Sequence, residues 1–362
     1  MSTVYDVADL AGVSTATVSR VIHGSPLVHP DTQQRVRAAI DELGFVPDGS
    51  AQGLSRRRKD IIGLAALERG TDEIDIEEAG QLFVDEVVHA VESVLRGTEC
   101  SLLLTFGRSG EQFQRRVWSL SGKVDGLLVA EEIMPAGRLR ALARRIPVVV
   151  IAGQRDEREL DVVAVDNAAG IRALAAHLTG AHGYRRLCFV AGPADSPDAQ
   201  GRLAAFLAAI AQHPGSRVDP VLNGDFSEAS GSAAARRLLA GGPLPDVVAC
   251  ANDQMAIGVL REFQQAGVGV PGDVAVTGFD DIYASRIVAP TLTTVSQPLG
   301  ELGRRAAERL RARIDNRALS PRAEILPTHL VVRASCGCPA PSARRSAPPR
   351  RTAADGYRTR SR

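Results

Sequence analysis

The sequence predicts a three-helix domain with a helix-turn-helix, followed by an α/β core of two doubly wound parallel-sheet lobes. Two short amphipathic helical patterns meet at a Gly-Val-Ser corner within residues 3–22, which is typical of a helix-turn-helix. From Ile61 to about Val332, apolar runs of strand length alternate with amphipathic stretches, a pattern that favours parallel sheets covered by helices on both faces. The 362 residues exceed one ordinary core and fit a small module with two larger lobes.

The first helical pattern begins at Thr3, an N-cap with an acidic partner at Asp6. Its buried stripe follows helical spacing and consists of Val4, Val7, Ala8 and Ala11. Gly12 ends the helix because glycine adopts the left-handed cap conformation at little cost. Val13 then fills the corner.

The second pattern begins after Ser14, which we expect to be its N-cap. Val18, Val21 and Ile22 face inward, and the outer face carries Thr15, Ala16, Thr17, Ser19 and Arg20. That face is small and able to form hydrogen bonds. A third helix is predicted from Pro30 to Gly44, with His29 as a less favourable N-cap and an inner stripe of Val36, Ile40 and Leu43.

The segment DVADLAGVSTATVSRV resembles, nearly residue for residue, the headpiece of the lactose-repressor/galactose-repressor (LacI) family of bacterial transcription regulators. A generic helical hairpin is the alternative interpretation. The resemblance implies that Thr15, Ala16 and Arg20 face base edges, with Arg20 reading guanine. The other DNA-binding residues that it implies, most of which position the phosphate backbone, are Thr3, Tyr5, Ser14, Thr17, Ser19 and Thr32.

The next segment, FVPDGSAQGLSRRRKD, resembles the family's hinge, written P-N-x-x-A-x-x-L. The resemblance implies that this hinge becomes helical on DNA, with Ala51 within it and Leu54 from two subunits wedging into the minor groove. Asp48 replaces the usual Asn, and Gly53 costs about 1 kcal/mol relative to Ala in a helix. We therefore expect a hinge that depends strongly on DNA, with a flexible linker as the alternative.

The core resembles both the LacI-family regulatory domain and periplasmic sugar-binding proteins, most closely over HGYRRLCFVAGP and ANDQMAIGVLREFQQAGVGVPGDVAVTGFDD. We expect a headpiece at 1–46, a hinge at 47–59, a core at 60–335 and a disordered basic tail at 336–362. Within the core, the first lobe is expected at about 61–160 and 290–318, and the second at about 162–288 and 322–335.

Charge and composition limit the classes of partner. The first 60 residues hold seven Lys/Arg and seven Asp/Glu, so the prediction of DNA binding depends on arrangement, with Arg20 and the basic run at 56–59 as the contacts. The tail carries seven arginines against one acid, a composition typical of disorder and of nonspecific nucleic-acid contacts. It lacks the leucine heptads that would assemble a tetramer, and we expect a homodimer.

Hydrophobic residues make up 44% of the chain and charged residues 23%, and no apolar run is long enough to cross a bilayer. We therefore expect no membrane partner. The N-terminus lacks a secretory signal, which predicts a cytoplasmic, nucleoid-associated protein. The five cysteines, an odd number, fit a reducing compartment, and those at 100, 188 and 250 are interpreted as buried apolar residues.

Four residues of the second lobe match family effector contacts: Arg202, Phe226, Asn252 and Asp280. Ligands of open α/β lobes bind beyond the carboxyl ends of the strands. There, the carboxylate accepts hydrogen bonds from hydroxyls, Arg202 donates, Asn252 does both, and Phe226 offers an apolar face, which together suit a neutral polyhydroxylated ring. The alternatives are that Asn252 and Asp280 only cap local structure and that Arg202 is a surface charge.

The first lobe's side of the cleft departs from the family. Residues 68–78 hold six acids and one arginine, and Ala152 stands where the family often has a polar effector contact. Effector identity therefore does not transfer from the resemblance. The acidic segment is either a solvated surface or a feature that selects a cationic ligand.

No catalytic, cofactor or metal site is predicted. Gly267, Gly269 and Gly272 spell G-x-G-x-x-G but follow a helix and precede a strand, the reverse of a dinucleotide site. Cys336 and Cys338 form a lone C-x-C, and the seven histidines form no H-x-x-x-H. No serine occupies a G-x-S-x-G motif.

We therefore predict a ligand-responsive transcriptional repressor. It binds a palindromic operator as a dimer, and its small effector, a carbohydrate or a nucleoside, lies between the lobes. A solute-binding protein of a transport system is the first alternative, because the core alone fits it, and an α/β enzyme is the second. The headpiece and the absence of catalytic motifs argue against both.

Overall fold

The computed structural model describes residues 2–22, 25–45, 58–67, 81–130, 133–153 and 159–338. Several predictions concern residues outside these ranges. They are the hinge residues Ala51 and Leu54, the acidic segment 68–78 and the tail beyond residue 338.

The headpiece has the three predicted helices, α1 (Val4–Ala11), α2 (Thr15–Ile22) and α3 (Pro30–Leu43). Thr3 and Asp6 form a capping box, in which the Thr3 amide donates to the Asp6 carboxylate at 2.7 Å. This hydrogen bond lowers the pKa of Asp6. Gly12 and Gly44 adopt left-handed conformations with φ of 63° and 56°, so both predicted helix ends are confirmed.

The headpiece core forms where the three helices meet. Its centre is completely buried and consists of Val7, Val18 and Val36. His29 is the N-cap of α3, although its Nδ1 accepts from the Asp31 amide only at 3.4 Å. The helical spacing read from the sequence thus predicts the packing of this domain.

The core contains two six-stranded sheets. The strands are β1 (Ile61–Leu67), β2 (Ser101–Gly107), β3 (Gly126–Ala130), β4 (Val148–Ile151), β5 (Asp161–Val165), β6 (Arg186–Ala191), β7 (Arg217–Asn223), β8 (Val247–Cys250), β9 (Ala275–Asp280), β10 (Thr293–Ser296), β11 (Ala323–Leu326) and β12 (His329–Val331). The sheet orders are β11-β5-β4-β3-β1-β2 and β12-β10-β9-β8-β6-β7. Every pairing among the described strands is parallel except that of β10 with β12.

Helices cover both sheets. They are α4 (Gln81–Leu95), α5 (Glu111–Leu120), α6 (Ala136–Arg145), α7 (Asn167–Ala176), α8 (Pro197–Ile210), α9 (Glu228–Ala240), α10 (Asp253–Gln265), α11 (Ala284–Ile287) and α12 (Leu299–Asp315). A π-helical turn, His177–Ala181, continues α7. We call the first sheet with α4, α5, α6 and α12 the first lobe, and the second sheet with α7 to α11 the second lobe.

The chain crosses between the lobes after β5, after β10 and after β11, which corrects the predicted lobe bounds. Residues 161–165 and 323–326 belong to the first sheet rather than the second, and 293–296 belong to the second rather than the first. The ion pairs of Asp161 help to place β5, since its carboxylate lies 2.5 Å from Arg309 and 2.9 Å from Arg313 on α12. An apolar run shows that a strand is buried but not which sheet it joins.

Helices α9 and α10 approach each other closely at two glycines. A Cβ atom at Gly231 would lie 2.0 Å from the Met255 carbonyl oxygen, and one at Gly258 would lie 2.1 Å from the Glu228 carbonyl oxygen. Both neighbours are backbone atoms, which cannot give way without moving a helix. This contact fixes α10 against α9.

We expect Gly231→Ala to destabilise the protein by about 1–3 kcal/mol because the added methyl group overpacks the contact between α9 and α10. The free energy of unfolding in urea measures the effect. Gly300→Ala is the matched control, since a Cβ at this exposed position of α12 meets nothing within 4 Å. The control should be neutral or slightly stabilising, and equal losses in both variants would contradict the prediction.

Candidate effector cleft and DNA-binding surface

A cavity lies between the lobes at the carboxyl ends of the central strands, with about 770 Å³ of empty space, including the part open to solvent. A mostly apolar lining with a few converging polar groups is typical of small-molecule sites. Its lining includes all four predicted effector residues. The first lobe contributes Ala66, Leu67, Val84, Ala130, Ile151 and Ala152, and the remainder are Asp198, Arg202, Phe226, Asn252, Gln254, Asp280 and Gln297.

Arg202 is the central polar group of the cleft and is only 5% exposed. Its Nε donates to the Asn167 side chain at 2.8 Å, and another guanidinium nitrogen donates to the Ala251 carbonyl oxygen at 2.8 Å. The guanidinium carbon lies 3.7 Å from the centroid of the Phe279 ring, a cation–π contact. Arg202 is therefore a fixed buried donor, and its interpretation as a surface charge is wrong.

Asp280 lies beside Arg202, with 3.5 Å between its carboxylate oxygen and the guanidinium. The same oxygen accepts from the Gln297 amide at 2.6 Å. Burial raises the pKa of Asp280 to about 7, although Arg202 and Gln297 oppose the shift. Its backbone φ of 120° lies in the region that favours glycine, and such strain is often found at binding sites.

Asp253 lies behind Asp280 and does not line the cavity. Its carboxylate accepts from the Thr294 hydroxyl at 2.5 Å and from the Ile282 amide at 3.0 Å. Burial raises the pKa of Asp253 well above its usual range, and the nearby Asp280 raises it further. Its contacts to Ile282 and Thr294 hold the loop after β9, next to Asp280, against β10.

Asn252 has the capping role that was the alternative to effector binding, and it also lines the cavity. Its side-chain oxygen accepts from the Met255 amide at 3.0 Å as the N-cap of α10, and its nitrogen donates to the Phe226 carbonyl oxygen at 2.9 Å. The Phe226 ring lies 6.0 Å from the Arg202 guanidinium carbon. Asn252 therefore positions Phe226.

Sequence reasoning did not identify Asp198, Gln254 and Gln297 as cleft residues. Asp198 accepts from the Asn167 side chain at 2.7 Å and from the Gly153 amide of the first lobe at 3.1 Å. Its hydrogen bond to Gly153 thus joins the two lobes across the cleft. Asp198 precedes Arg202 by four residues on α8, a spacing that places both side chains on one helix face and could have identified it.

The two walls of the cleft differ in polarity. Among the described residues, those that line the cavity from the first lobe are all apolar, including Ala152 with the methyl group that the sequence indicated, whereas the second lobe presents two carboxylates, a guanidinium and amides. Strand β1 ends at this wall with Leu67. The arrangement suits a ring with hydrogen-bonding groups along one edge and an apolar face.

The predicted DNA-contacting residues of the headpiece lie on α1, α2 and α3 or, for Thr3 and Ser14, directly before α1 and α2. Tyr5 is 70% exposed, and Ala16, Ser19 and Arg20 are also exposed. The residues with half-buried side chains are Thr15, Thr17 and Thr32. The Ser14 hydroxyl lies 3.0 Å from the Thr17 hydroxyl and accepts from the Thr17 amide at 3.2 Å. Ser14 therefore caps α2, as predicted.

In the described part of the chain, none of the helices combines the length and the apolar content that a transmembrane segment needs.

Comparisons with known proteins agree with this architecture. Residues 3–48 match the family of bacterial regulatory proteins named for lacI, and residues 175–336 match the periplasmic binding protein-like domain. The HTH-type transcriptional regulator CelR of Thermobifida fusca is 35% identical over 336 residues, covering 91% of this chain and 96% of that protein. The regulator GalR of Escherichia coli (strain K12) is 31% identical over 343 residues, covering 94% and 97%.

Solved structures show the same similarity. The lac repressor dimer bound to operator and the anti-inducer ONPF matches with a TM-score of 0.80 at 28% identity, over 92% of this chain and 99% of that one. The CelR–cellobiose complex matches with a TM-score of 0.67 at 34% identity, over 92% and 100%. The predicted fold class and non-enzymatic function are confirmed: the chain belongs to the lacI family of bacterial regulatory proteins and is a DNA-binding transcriptional regulator.

Proposed function

We propose that the protein is a repressor that binds a palindromic operator as a homodimer and responds to a sugar or nucleoside held between its lobes. The buried pair of Arg202 and Asp280 on the cavity wall carries this proposal. A buried guanidinium and carboxylate recognise hydroxyls and carbonyls by direct hydrogen bonds. The similar structures include the CelR–cellobiose complex and the lac repressor dimer on its operator, which supports both the ligand class and the DNA partner.

On the DNA side, we assign base reading to Thr15, Ala16 and Arg20 of α2. Their exposure or partial exposure on one short helix supports this role. Thr15 and Ala16 lie at the N-terminus of α2, the end through which a recognition helix contacts base edges, and Arg20 has a side chain long enough to reach a guanine from the last turn. The residues assigned to backbone positioning are Thr3, Tyr5, Ser14, Thr17, Ser19 and Thr32. Ala51 and Leu54 of the hinge complete the proposed DNA contacts.

The first lobe anchors the start of the core directly after the hinge. The Asp125 carboxylate accepts from the Lys59 amide at 2.9 Å and the Asp60 amide at 2.7 Å, and Arg58 lies 2.8 Å from Asp315. Movement of the first lobe therefore moves the end of the hinge. An effector that changes lobe closure, and with it the bond between Asp198 and Gly153, would alter the spacing of two hinges in a dimer.

Exposed apolar side chains support assembly of two copies. Strand β2 lies at the edge of the first sheet, and Leu103, Leu104 and Phe106 on it are 36–39% exposed. An apolar sheet edge is stabilised when another surface covers it, which a second copy of the chain would do. We place this homodimer in the cytoplasm, associated with the nucleoid.

The experiment that tests the proposed ligand class is a thermal-shift screen with sugars, sugar phosphates, nucleosides, purines and polyamines. A ligand at about 100 times its Kd adds roughly 2.7 kcal/mol to the free energy of unfolding. Within this screen, cellobiose, a nucleoside and a polyamine represent a neutral sugar, a base-containing ligand and a cationic ligand. A stabilising ligand whose effect disappears in Asp280→Asn supports the assigned cleft, and one whose effect persists there at full strength places the site elsewhere.

We expect the affinity for a neutral sugar or nucleoside to rise with pH up to about 7. Ligand hydroxyls donate to the ionised carboxylate of Asp280, and this group, with a pKa of about 7 in the free protein, is protonated at lower pH. Affinity should therefore fall by up to about tenfold per pH unit below 7 and level off above it. Calorimetric titration between about pH 5.5 and 8 measures the slope.

The same group should affect stability in the absence of ligand. A raised pKa favours the protonated folded state, so the contribution of Asp280 to the free energy of unfolding decreases as pH rises from about 4 to about 7. Asp280→Asn should remove this decrease.

For the preceding prediction on affinity, a ligand affinity that does not change with pH would contradict direct bonding of the ligand to Asp280.

We expect Leu54→Ala to weaken operator binding by about tenfold or more without changing ligand affinity, because the apolar wedge in the minor groove is lost. Fluorescence anisotropy with labelled operator measures the effect. Gly53→Ala is the matched control and should strengthen operator binding, since alanine favours the helical hinge by about 1 kcal/mol. Equal operator affinity of Leu54→Ala and the unmodified protein would rule out the hinge assignment.

A further inference from the structure

Four side chains with metal-binding atoms converge in the second lobe, away from the effector cleft. They are His177, His182, Cys336 and Cys338, whose ligand atoms all lie within 4.8 Å of one another. The cluster lies at the C-terminal end of α7, a helix whose first residue, Asn167, contacts Arg202. Ten helical residues separate the two places by about 15 Å.

Local backbone structure brings each pair together. The π-helical turn His177–Ala181 bonds residues five apart, which places His182 beside His177 with 3.2 Å between their Nε2 atoms. Gly337 has a φ of 96° and turns the chain between the cysteines. Both cysteines follow strand β12, which lies at one edge of the second sheet.

Tyr184 links the histidine pair to the cysteine pair. Its hydroxyl donates to the Cys336 carbonyl oxygen at 2.9 Å, and its ring stacks on His182 with a centroid distance of 5.1 Å and an interplanar angle of 9°. Cys336 is fully buried, whereas His177, His182 and Cys338 are half-buried. Contacts around the ligands fix ring orientation in metal sites in the same way.

We propose that these four residues bind a structural Zn²⁺ ion. With Zn–N bonds of about 2.0–2.1 Å and Zn–S bonds of about 2.3 Å, a tetrahedral site has N···N edges of about 3.3 Å and N···S edges of about 3.6 Å. The N···N distance here is 3.2 Å. The distances from His177 Nε2 to Cys336 Sγ, from His182 Nε2 to Cys338 Sγ and from His177 Nε2 to Cys338 Sγ are 3.4, 3.4 and 3.8 Å.

Hydrogen bonding alone does not account for this geometry. The Nε2 atom of His177 lies within 3.8 Å of one ring nitrogen and two sulfurs, whereas a neutral imidazole nitrogen either donates one proton or accepts one. A single cation among the four atoms satisfies all of them at once. Two thiolates and two imidazoles are a ligand set that zinc prefers.

His177 and His182 have the spacing H-x₄-H, which lies within the common zinc pattern H-x₃₋₅-H and could have identified half of the site. The rest follows no common pattern, because the histidines precede the cysteines, β6 to β12 separate the two pairs, and the cysteine pair is closer than the usual C-x₂₋₄-C. Four protein ligands complete a tetrahedron and leave no open position for a reactive water, which makes the site structural. It would fasten residues 336–338 to the end of α7.

Metal analysis of the untagged full-length protein tests the proposal. We expect about one zinc ion per chain by mass spectrometry of the metal content. Cys338→Ser and His182→Gln, both at half-buried positions, should lower zinc to less than about a tenth of that value because each removes a ligand. Cys100→Ser, which changes a half-buried thiol outside the cluster, should retain it.

Cobalt binding provides a measurement independent of the purification history. Co²⁺ added to the reduced, metal-free protein should produce thiolate charge-transfer bands and intense visible bands of a tetrahedral site, which Cys338→Ser should lose. The proposal is overturned if the reduced protein binds neither zinc nor cobalt stoichiometrically, or if both variants keep their zinc. An intact mass showing a disulfide between Cys336 and Cys338 in protein purified under reducing conditions would also overturn it.

Discussion

Replacement of Arg20 by methionine is expected to weaken specific operator binding by about 2–6 kcal/mol in a dimer. Each half-site loses one bidentate guanine contact, which is worth about 1–3 kcal/mol against the wrong base. Arg20 is exposed in the last turn of α2, so its removal leaves the headpiece core unchanged. Operator sequences selected from random DNA by the unmodified protein, followed by anisotropy titration of both proteins, provide the measurement.

Arg35→Met is the matched control because it removes the same charge from an exposed position on α3. It should lower specific and nonspecific affinity by similar small factors, as the loss of a general electrostatic contribution does. Arg20→Met should instead lower the ratio of specific to nonspecific affinity. If that ratio is the same for Arg20→Met and the unmodified protein, Arg20 does not read a base.

Replacement of Arg202 by methionine is expected to abolish the response to the effector and to cost about 3–5 kcal/mol of stability, as breaking a buried ion pair does. The Asn167 oxygen, the Ala251 carbonyl oxygen and the Asp280 carboxylate each lose a donor. Arg202 lowers the pKa of Asp280. Without it, Asp280 takes up a proton near neutral pH, and the stability loss should be larger at pH 8 than at pH 6.

A double-mutant cycle separates the two contributions. In Arg202→Met/Asp280→Asn the unpaired carboxylate is gone, so part of the lost free energy of unfolding should return and the difference between pH values should disappear. Urea unfolding of the four proteins supplies the cycle. Strict additivity of the single changes would show that Arg202 and Asp280 do not interact.

The headpiece shows how much local sequence signals can predict. The capping pair of Thr3 and Asp6, the left-handed Gly12 and the helical spacing of Val7 and Val18 all appear as expected. Each is encoded within a few neighbouring residues. None of these signals requires contacts between residues far apart in the chain.

The core shows where such prediction stops. Strand β5 joins the first sheet through pairing with β4 and β11 and through the arginines of α12, none of which is visible in its apolar run. Asp198 acts across the cleft on Gly153, and the cluster of His177 and Cys336 joins segments far apart in the chain. These features depend on tertiary contacts, which a single sequence does not display.

Asp125, which binds the Lys59 and Asp60 amides, lies in the first lobe, whereas the polar side chains among the described cleft residues lie outside that lobe. In the described part of the core, the polar contacts of the cleft and the anchor of the hinge are thus in separate lobes. A chimera could exchange the recognition half while keeping the output half and its operator. Such modularity would let new effector specificities evolve by recombination, and it offers a direct route to biosensors with a fixed promoter.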